Sequence, residues 1–315
     1  MFKSAQVVET ITLEAHQLDE QLPKWSSPKI IKGLVSDWPV VQADKQGQLV
    51  DYLKSFCTER IFNVVVASAE VNGRFFYDQQ MSGFNFGRRQ ARVGEVLTQL
   101  VKLQQYDGAK PSIYLGSTSV EQCLPGFLAA QNLPLDEYNP LISAWLGNQT
   151  RIAAHFDAVD NIACVAGGKR RFTLFAPEKV ENLYIGPSDF TPAGQAISLV
   201  DFAKPDLVKF PRFSQAIEQS WVAELECGDG LFIPAMWWHH VESLSAVNLL
   251  INYWWRSTPR RLGEPMDAFR HGLLSIKSLP LAQKRAWQQL FEHYIFCQDD
   301  THLARLGRIV VHGCM

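Results

Sequence analysis

The sequence predicts a mainly β protein with flanking helices, and three observations carry that expectation. Between about residues 111 and 257 the chain is a succession of short β-branched and aromatic runs: "SIYLGS", "ISAWLG", "DNIACVAGG", "RRFTLFAP", "GLFIPAMWWHHV" and "VNLLINYWW". Gly, Pro and Asp bound them, and many short strands with such punctuation predict a barrel or sandwich. After Pro265 the period becomes helical, with Met266, Phe269, Leu273 and Leu274 on one stripe and Trp287, Leu290, Phe291, Tyr294 and Ile295 on another. Finally, no repeat or Pro/Gly-rich linker divides the chain, which argues against two cleanly separated domains. The expected organisation is a domain over 1–263, with its core strands at about 111–257, and a helical segment over 264–315.

Taken in order, "SPKIIKGLVSDWP" (27–39) reads as a short β run closed by a turn. "FNVVVASAEVNGRFFYD" (62–78) has Asn72-Gly73 between two runs rich in Val and Phe, which predicts a β-hairpin. "RVGEVLTQLVKLQQ" (92–105) sets Val93, Val96, Leu97, Leu100 and Val101 on one helical face. The two C-terminal stripes are expected to pack onto the sheet, with a subunit interface as the alternative.

Composition narrows the partners. Thirty Lys plus Arg stand against 32 Asp plus Glu, so there is no electrostatic footprint for nucleic acid or an anionic membrane, and small or neutral partners are favoured. The six cysteines, Cys57, Cys123, Cys164, Cys227, Cys297 and Cys314, show neither C-x-x-C nor framework spacing, which predicts a reducing compartment. The first residues lack the apolar run of a signal peptide and no stretch has the apolarity of a membrane span, so a cytoplasmic protein is expected.

The chemistry concentrates in two segments. "AAHFDAVDNIACV" (153–165) holds His155 and Asp157, whose side chains share a face if the backbone is extended. A third ligand from a later strand would complete two histidines and a carboxylate on one face of an octahedral metal, leaving the opposite face open. "CGDGLFIPAMWWHH" offers His239 or His240. An H-x-D alone is a weak signal; the order and strand setting strengthen it. His16, His271, His293, His302 and His312 lie outside the strand region and read as surface or packing residues.

"HFD", "GGKRRFTLFAPE", "CGDGLFIPAMWWHHVESL" and "LLINYWW" together resemble the cupin-like JmjC oxygenases, above all the asparaginyl hydroxylase of hypoxia-inducible factor and its bacterial relatives. The similarity spans about 28–257. It implies a double-stranded β-helix (jelly-roll) core, Fe(II) and 2-oxoglutarate as cofactors, and hydroxylation of a C–H bond with O2. Carried over, His155, Asp157 and His239 are the metal ligands, and His240 faces away.

The same resemblance implies a buried cation for the far carboxylate of 2-oxoglutarate. Arg170 occupies that place, with Lys169 the candidate if the strand slips by one; an arginine fork suits a carboxylate. Tyr114 resembles a hydroxyl donor to the same group, and Asn161 and Asn252 match polar positions of the pocket. Ile152 stands where the relative has threonine, which removes a hydroxyl. Trp254 and Trp238 are placed at the substrate pocket. More generally, Trp237, Trp238, Tyr253, Trp254 and Trp255 are expected either to wall off water or to fill the core.

The C-terminal helices resemble a dimerisation region, so a homodimer is expected. The substrate is a protein, a peptide or a small molecule, and demethylation is a variant of the same chemistry. Two alternatives use the same residues: a non-catalytic cupin-like binding protein, and a zinc-dependent hydrolase or isomerase.

Overall fold

The computed structural model describes residues 5–192, 194–257 and 263–297. Its β residues form two sheets. Neighbours in the six-stranded sheet are, in order, Gln6–Val7, Trp221–Leu225, Arg170–Phe175, Trp238–Ser243, Arg151–His155 and Arg74–Phe75. The nine-stranded sheet runs Thr10–Ile11, Lys29–Ile31, Gly230–Ile233, Asp160–Gly167, Asn248–Trp255, Leu141–Gly147, Ser112–Ser119, Ile61–Ala67 and Gly87–Arg92. This is a jelly-roll arrangement.

Alternation decides what each strand offers to the interior. Phe172, Leu174 and Val241 from the six-stranded sheet pack with Ala163, Val165, Leu231 and Leu250 from the nine-stranded one. The outer face of the nine-stranded sheet is apolar too, so its strands read as continuous hydrophobic runs. Ile113, Leu115, Leu146, Ile162, Cys164, Leu249, Ile251 and Tyr253 meet a helical layer there, contributed by Val40, Val41, Leu49, Leu53, Val96, Leu97 and Leu100. Outside the six-stranded sheet, Ala154, Phe175 and Trp238 are covered by Leu183, Val200, Phe202, Phe213 and Ile217.

The helix expected at 92–105 is Val93–Gln104, with Leu103 joining the buried face while Val101 stays half-buried. Its first turn is closed by Glu95, which accepts the Arg92 backbone N–H at 2.8 Å.

The Asn72-Gly73 hairpin does not form. The pair does turn, with φ of 47° and 75°, but the strands it joins lie in different sheets: Ile61–Ala67 pairs with Gly87–Arg92 and Ser112–Ser119, whereas Arg74–Phe75 pairs with Arg151–Ile152. The Arg151 backbone N–H donates to Gly73 O at 2.8 Å and its Nε to Asn72 O at 3.0 Å, which ties the turn to the second sheet. An Asn-Gly pair specifies the turn, not the strand with which the next segment pairs.

The described residues divide into two compact units, the first ending at Ser257. In the second, helices span Pro265–Ser275 and Leu281–Phe291, and neither buries a residue. Phe269, Leu274, Trp287, Leu290, Tyr294 and Ile295 are exposed, whereas Met266, Leu273 and Phe291 of the same stripes are half-buried. No described helix is long and apolar enough to cross a membrane. The five described cysteines are free; Cys314, His302 and His312 lie outside the described residues.

Candidate active site

His155 and His239 come together because their strands are neighbours. The two residues stand opposite each other in the register of Arg151–His155 against Trp238–Ser243, and their ring centroids are 4.3 Å apart. Asp157 follows the first strand. Its carboxylate approaches His239, Nε2 to Oδ2, at 3.7 Å. One ligand atom from each of the three residues lies within 4.8 Å of the others, the spacing a single cation needs.

Both rings are oriented by backbone. His155 Nδ1–H donates to Ala153 O and His239 Nδ1–H to Trp237 O, each at 3.0 Å, which leaves both Nε2 atoms as lone-pair donors. Burial pushes the His239 imidazole well below its usual pKa, with His155 adding to the effect and Asp157 opposing it. A neutral imidazole is the metal-ligating form.

The segment before His239 is fixed just as firmly. Pro234 ends the Gly230–Ile233 strand, and the chain turns through Met236 at φ 69°. The Met236 N–H donates to Asp157 O at 2.8 Å, and the Ala235 N–H to the Asp160 carboxylate at 2.9 Å. The third ligand is thereby tethered to the loop that carries the second.

These ligands line a cavity of about 350 Å³, which Tyr114, Asn161, Arg170, Asn252 and Trp254 also line. Arg170 is 2% exposed; its guanidinium donates to Trp145 O at 3.3 Å, and Nε is buried without an acceptor. No described carboxylate pairs with it, whereas the adjacent Lys169 is exposed and bound to Glu226 at 2.7 Å. Burial lowers Arg170 to about 10 and raises Tyr114 to about 12, each opposed by the other. At neutral pH the cavity therefore contains a charged guanidinium beside a protonated phenol. Asn252 donates to Asn161 Oδ1 at 2.6 Å, and its own Oδ1 is buried without a donor.

Residues 15–261 match the cupin-like domain. The chain belongs to the cupin-like family. Its relatives include lysine-specific demethylase 8 of Danio rerio, 27% identical over 78% of this chain and 56% of that protein. Lysine-specific demethylase JMJ31 of Arabidopsis thaliana is 30% identical over 46% of this chain and 25% of that protein. The human tRNA wybutosine-synthesizing protein 5 is 33% identical over 36% of this chain and 33% of that protein. The matches thus span between a quarter and about half of these relatives' own lengths.

Within this cupin-like domain, some sequence-predicted residues fall elsewhere. Lys169 points to solvent, because alternation along Arg170–Phe175 gives the inward position to Arg170. Trp238 is not at the cavity. It packs edge-on against Phe156 at 4.9 Å on the outer face of the six-stranded sheet, with Nε1–H donating to Pro177 O at 3.3 Å. Trp237, Tyr253 and Trp255 are core residues as well. Ile152 does line the cavity, opposite Phe75 in the register.

The aromatic lining that sequence reasoning missed is Phe75, Phe86, Trp145 and Phe172, together with the polar Asn63 and Arg88. Trp145 sits at an alternate position of "ISAWLG", so period-two reading of that strand carried a signal for it. Arg88 lies in "GRRQAR", whose polarity hides a strand.

Proposed function

We propose that the protein is an Fe(II)- and 2-oxoglutarate-dependent oxygenase that hydroxylates a C–H bond of a protein, peptide or small-molecule substrate. The observation that carries this reading is Arg170: a buried, unpaired guanidinium in the same cavity as a two-histidine, one-carboxylate cluster. Leaving such a charge without a counter-ion is costly, so the cavity is built for an anion. The donor set fits the metal as well, since two oriented imidazoles and a carboxylate on one side leave positions free for a chelating ligand.

With both cofactors bound, the site would couple reduction of O2 to oxidation of the substrate C–H, with conversion of 2-oxoglutarate to succinate and CO2. The chain's own contribution is positional. His155, Asp157 and His239 hold the metal, with the histidine rings fixed by their carbonyl contacts. Arg170 and the Tyr114 hydroxyl receive the far carboxylate of the cosubstrate, and Asn161 and Asn252 present amides to the ligand. Phe75, Phe172, Trp145 and Trp254 limit water in the cavity. Demethylation follows from the same step when the reacting carbon is an N-methyl group; two relatives carry that activity in their names.

We further propose that the protein is cytoplasmic and a homodimer; the exposed Phe269, Leu274, Trp287, Leu290, Tyr294 and Ile295 of the two C-terminal helices support the dimer. A monomeric mass at high protein concentration in solution scattering would refute the dimer.

The test of the central reading is an anaerobic titration of the metal-free chain with Fe(II) and then 2-oxoglutarate, following the weak visible charge-transfer band of the chelate. The band is expected in the unsubstituted chain and absent from His239→Ala. Iron binding without a band on adding 2-oxoglutarate would overturn the cosubstrate assignment.

A further inference from the structure

The cavity contains two arginines, and the oxygenase reading uses only one. Arg88 lines it too, from Gly87–Arg92, the strand that ends the nine-stranded sheet. Register fixes its position. Arg88 stands opposite Val65, and Val65 opposite Tyr114, so the three side chains share the inner face of adjacent strands. At the usual strand spacing the Arg88 backbone lies roughly 10 Å from that of Tyr114. Arg88 is exposed where Tyr114 and Arg170 are buried, which places it at the mouth and them at the inner end.

Asn63, two residues from Val65 and so on the same face, lines the cavity beside it. Phe75 and Phe86, packed edge to face at 5.6 Å, add apolar surface to the same cavity. Arg89 points to the opposite face by alternation and cannot replace Arg88.

No described carboxylate pairs with Arg88, although Arg92 on the same strand is held by Glu59 and Glu95. A free guanidinium fork beside an amide at a cavity mouth matches an oxyanion. The inner cation is already committed to the cosubstrate, so the outer one is left for the substrate. The near-zero charge of the whole chain supplies no long-range field for a polyanion, which leaves recognition to this local pair.

We propose that Arg88 and Asn63 form a substrate subsite for an anionic group, a carboxylate or a phosphate, carried next to the carbon presented to the metal. The inference rests on the oxygenase reading for its division of the cavity into cosubstrate and substrate ends.

Three probes share a phenyl ring for the aromatic wall and differ in charge: 3-phenylpropanoate, phenyl phosphate and 3-phenylpropanamide. Each is titrated by ligand-observed NMR into the full-length chain carrying Arg170→Gln, with no metal added, so that the inner cation of the shared cavity cannot take the anion. At least one anion is expected to bind about tenfold more tightly than the amide, the value of a charge-assisted hydrogen bond. Which anion leads distinguishes a carboxylate substrate from a phosphorylated one. In that background Arg88→Gln should bring the anions to near parity with the amide, and Arg88→Lys should retain part of the preference.

Equal binding of the amide, a preference that survives Arg88→Gln, or no binding of either anion at millimolar concentration would each overturn the proposal. Neither metal nor turnover enters the measurement, so a failed oxygenase reading shows in the charge-transfer titration and not here.

Discussion

His239 Nε2 lies 3.7 Å from Asp157 Oδ2, whereas the neighbouring His240 turns to the other face of the sheet and stacks on Phe202 at 4.6 Å. Adjacent strand residues cannot share a face, so one imidazole of the pair serves the cavity and the other the core. His239→Ala should therefore abolish stoichiometric Fe(II) binding, measured by metal analysis after anaerobic desalting. His240→Leu should retain it. Equal loss in the two variants would contradict the ligand set.

Arg170 and Lys169 make a sharper pair of variants because they differ in burial as much as in chemistry. Removing one partner of a buried, hydrogen-bonded charge pair costs about 2–5 kcal/mol, so Arg170→Gln should weaken 2-oxoglutarate binding by at least about 30-fold in calorimetric titration of the metal-loaded chain. Lys169→Gln removes only an exposed ion pair with Glu226 and should leave affinity unchanged. A comparable loss in Lys169→Gln would mean that the strand slips by one residue.

The metal cluster and the anion-binding end of the cavity are legible in the sequence to different depths, for a physical reason. Metal ligation needs particular residue types, and His155 and His239 in their strands and Asp157 just beyond the first stand out as types. The choice between Arg170 and Lys169 depends on alternation phase, which a basic run such as "GGKRR" does not reveal. Trp238 escapes correct placement for the same reason: in a strand apolar on both faces, hydrophobicity carries no phase. Arg88 and Asn63 are invisible because their roles come from pairing with distant strands.

Gly73 offers a test of how the chain passes between sheets. Its φ is +75°, and an added Cβ would stand 2.7 Å from Gln149 O, backbone that cannot swing aside. Gly73→Ala should lower stability by about 1–3 kcal/mol, read from urea unfolding. It should also weaken Fe(II) binding, because the Arg74–Phe75 strand flanks the one that ends in His155. Unchanged stability would show that the turn relaxes without cost.

The stability of the metal-free chain should depend on acid through His240. The ring is 5% exposed and its Nδ1 has no partner. Burial, followed by the charges of Arg151, Arg74, His155 and Arg171, pushes its pKa down to about 3. Asp201 pairs with Arg151 at 3.1 Å and reaches Arg74 at 3.9 Å, so it tempers those cations without facing the ring as a partner. An unfolded histidine titrates near pH 6.5, so between about pH 6.5 and 3 the unfolded chain binds a proton that the folded one refuses. The contribution is fully present above pH 6.5 and falls with pH by up to about 1.4 kcal/mol per unit. His240→Leu removes this dependence, along with an unpaired polar atom, so it should cost little at pH 7 and become relatively more stabilising as pH falls. By pH 5 the unsubstituted chain should have lost about 2 kcal/mol more than the variant, measured by urea unfolding across the range. His239 remains in both proteins and cancels in the difference. Parallel stability curves would instead require that His240 takes up its proton in the folded chain, and hence that water reaches the ring against Phe202.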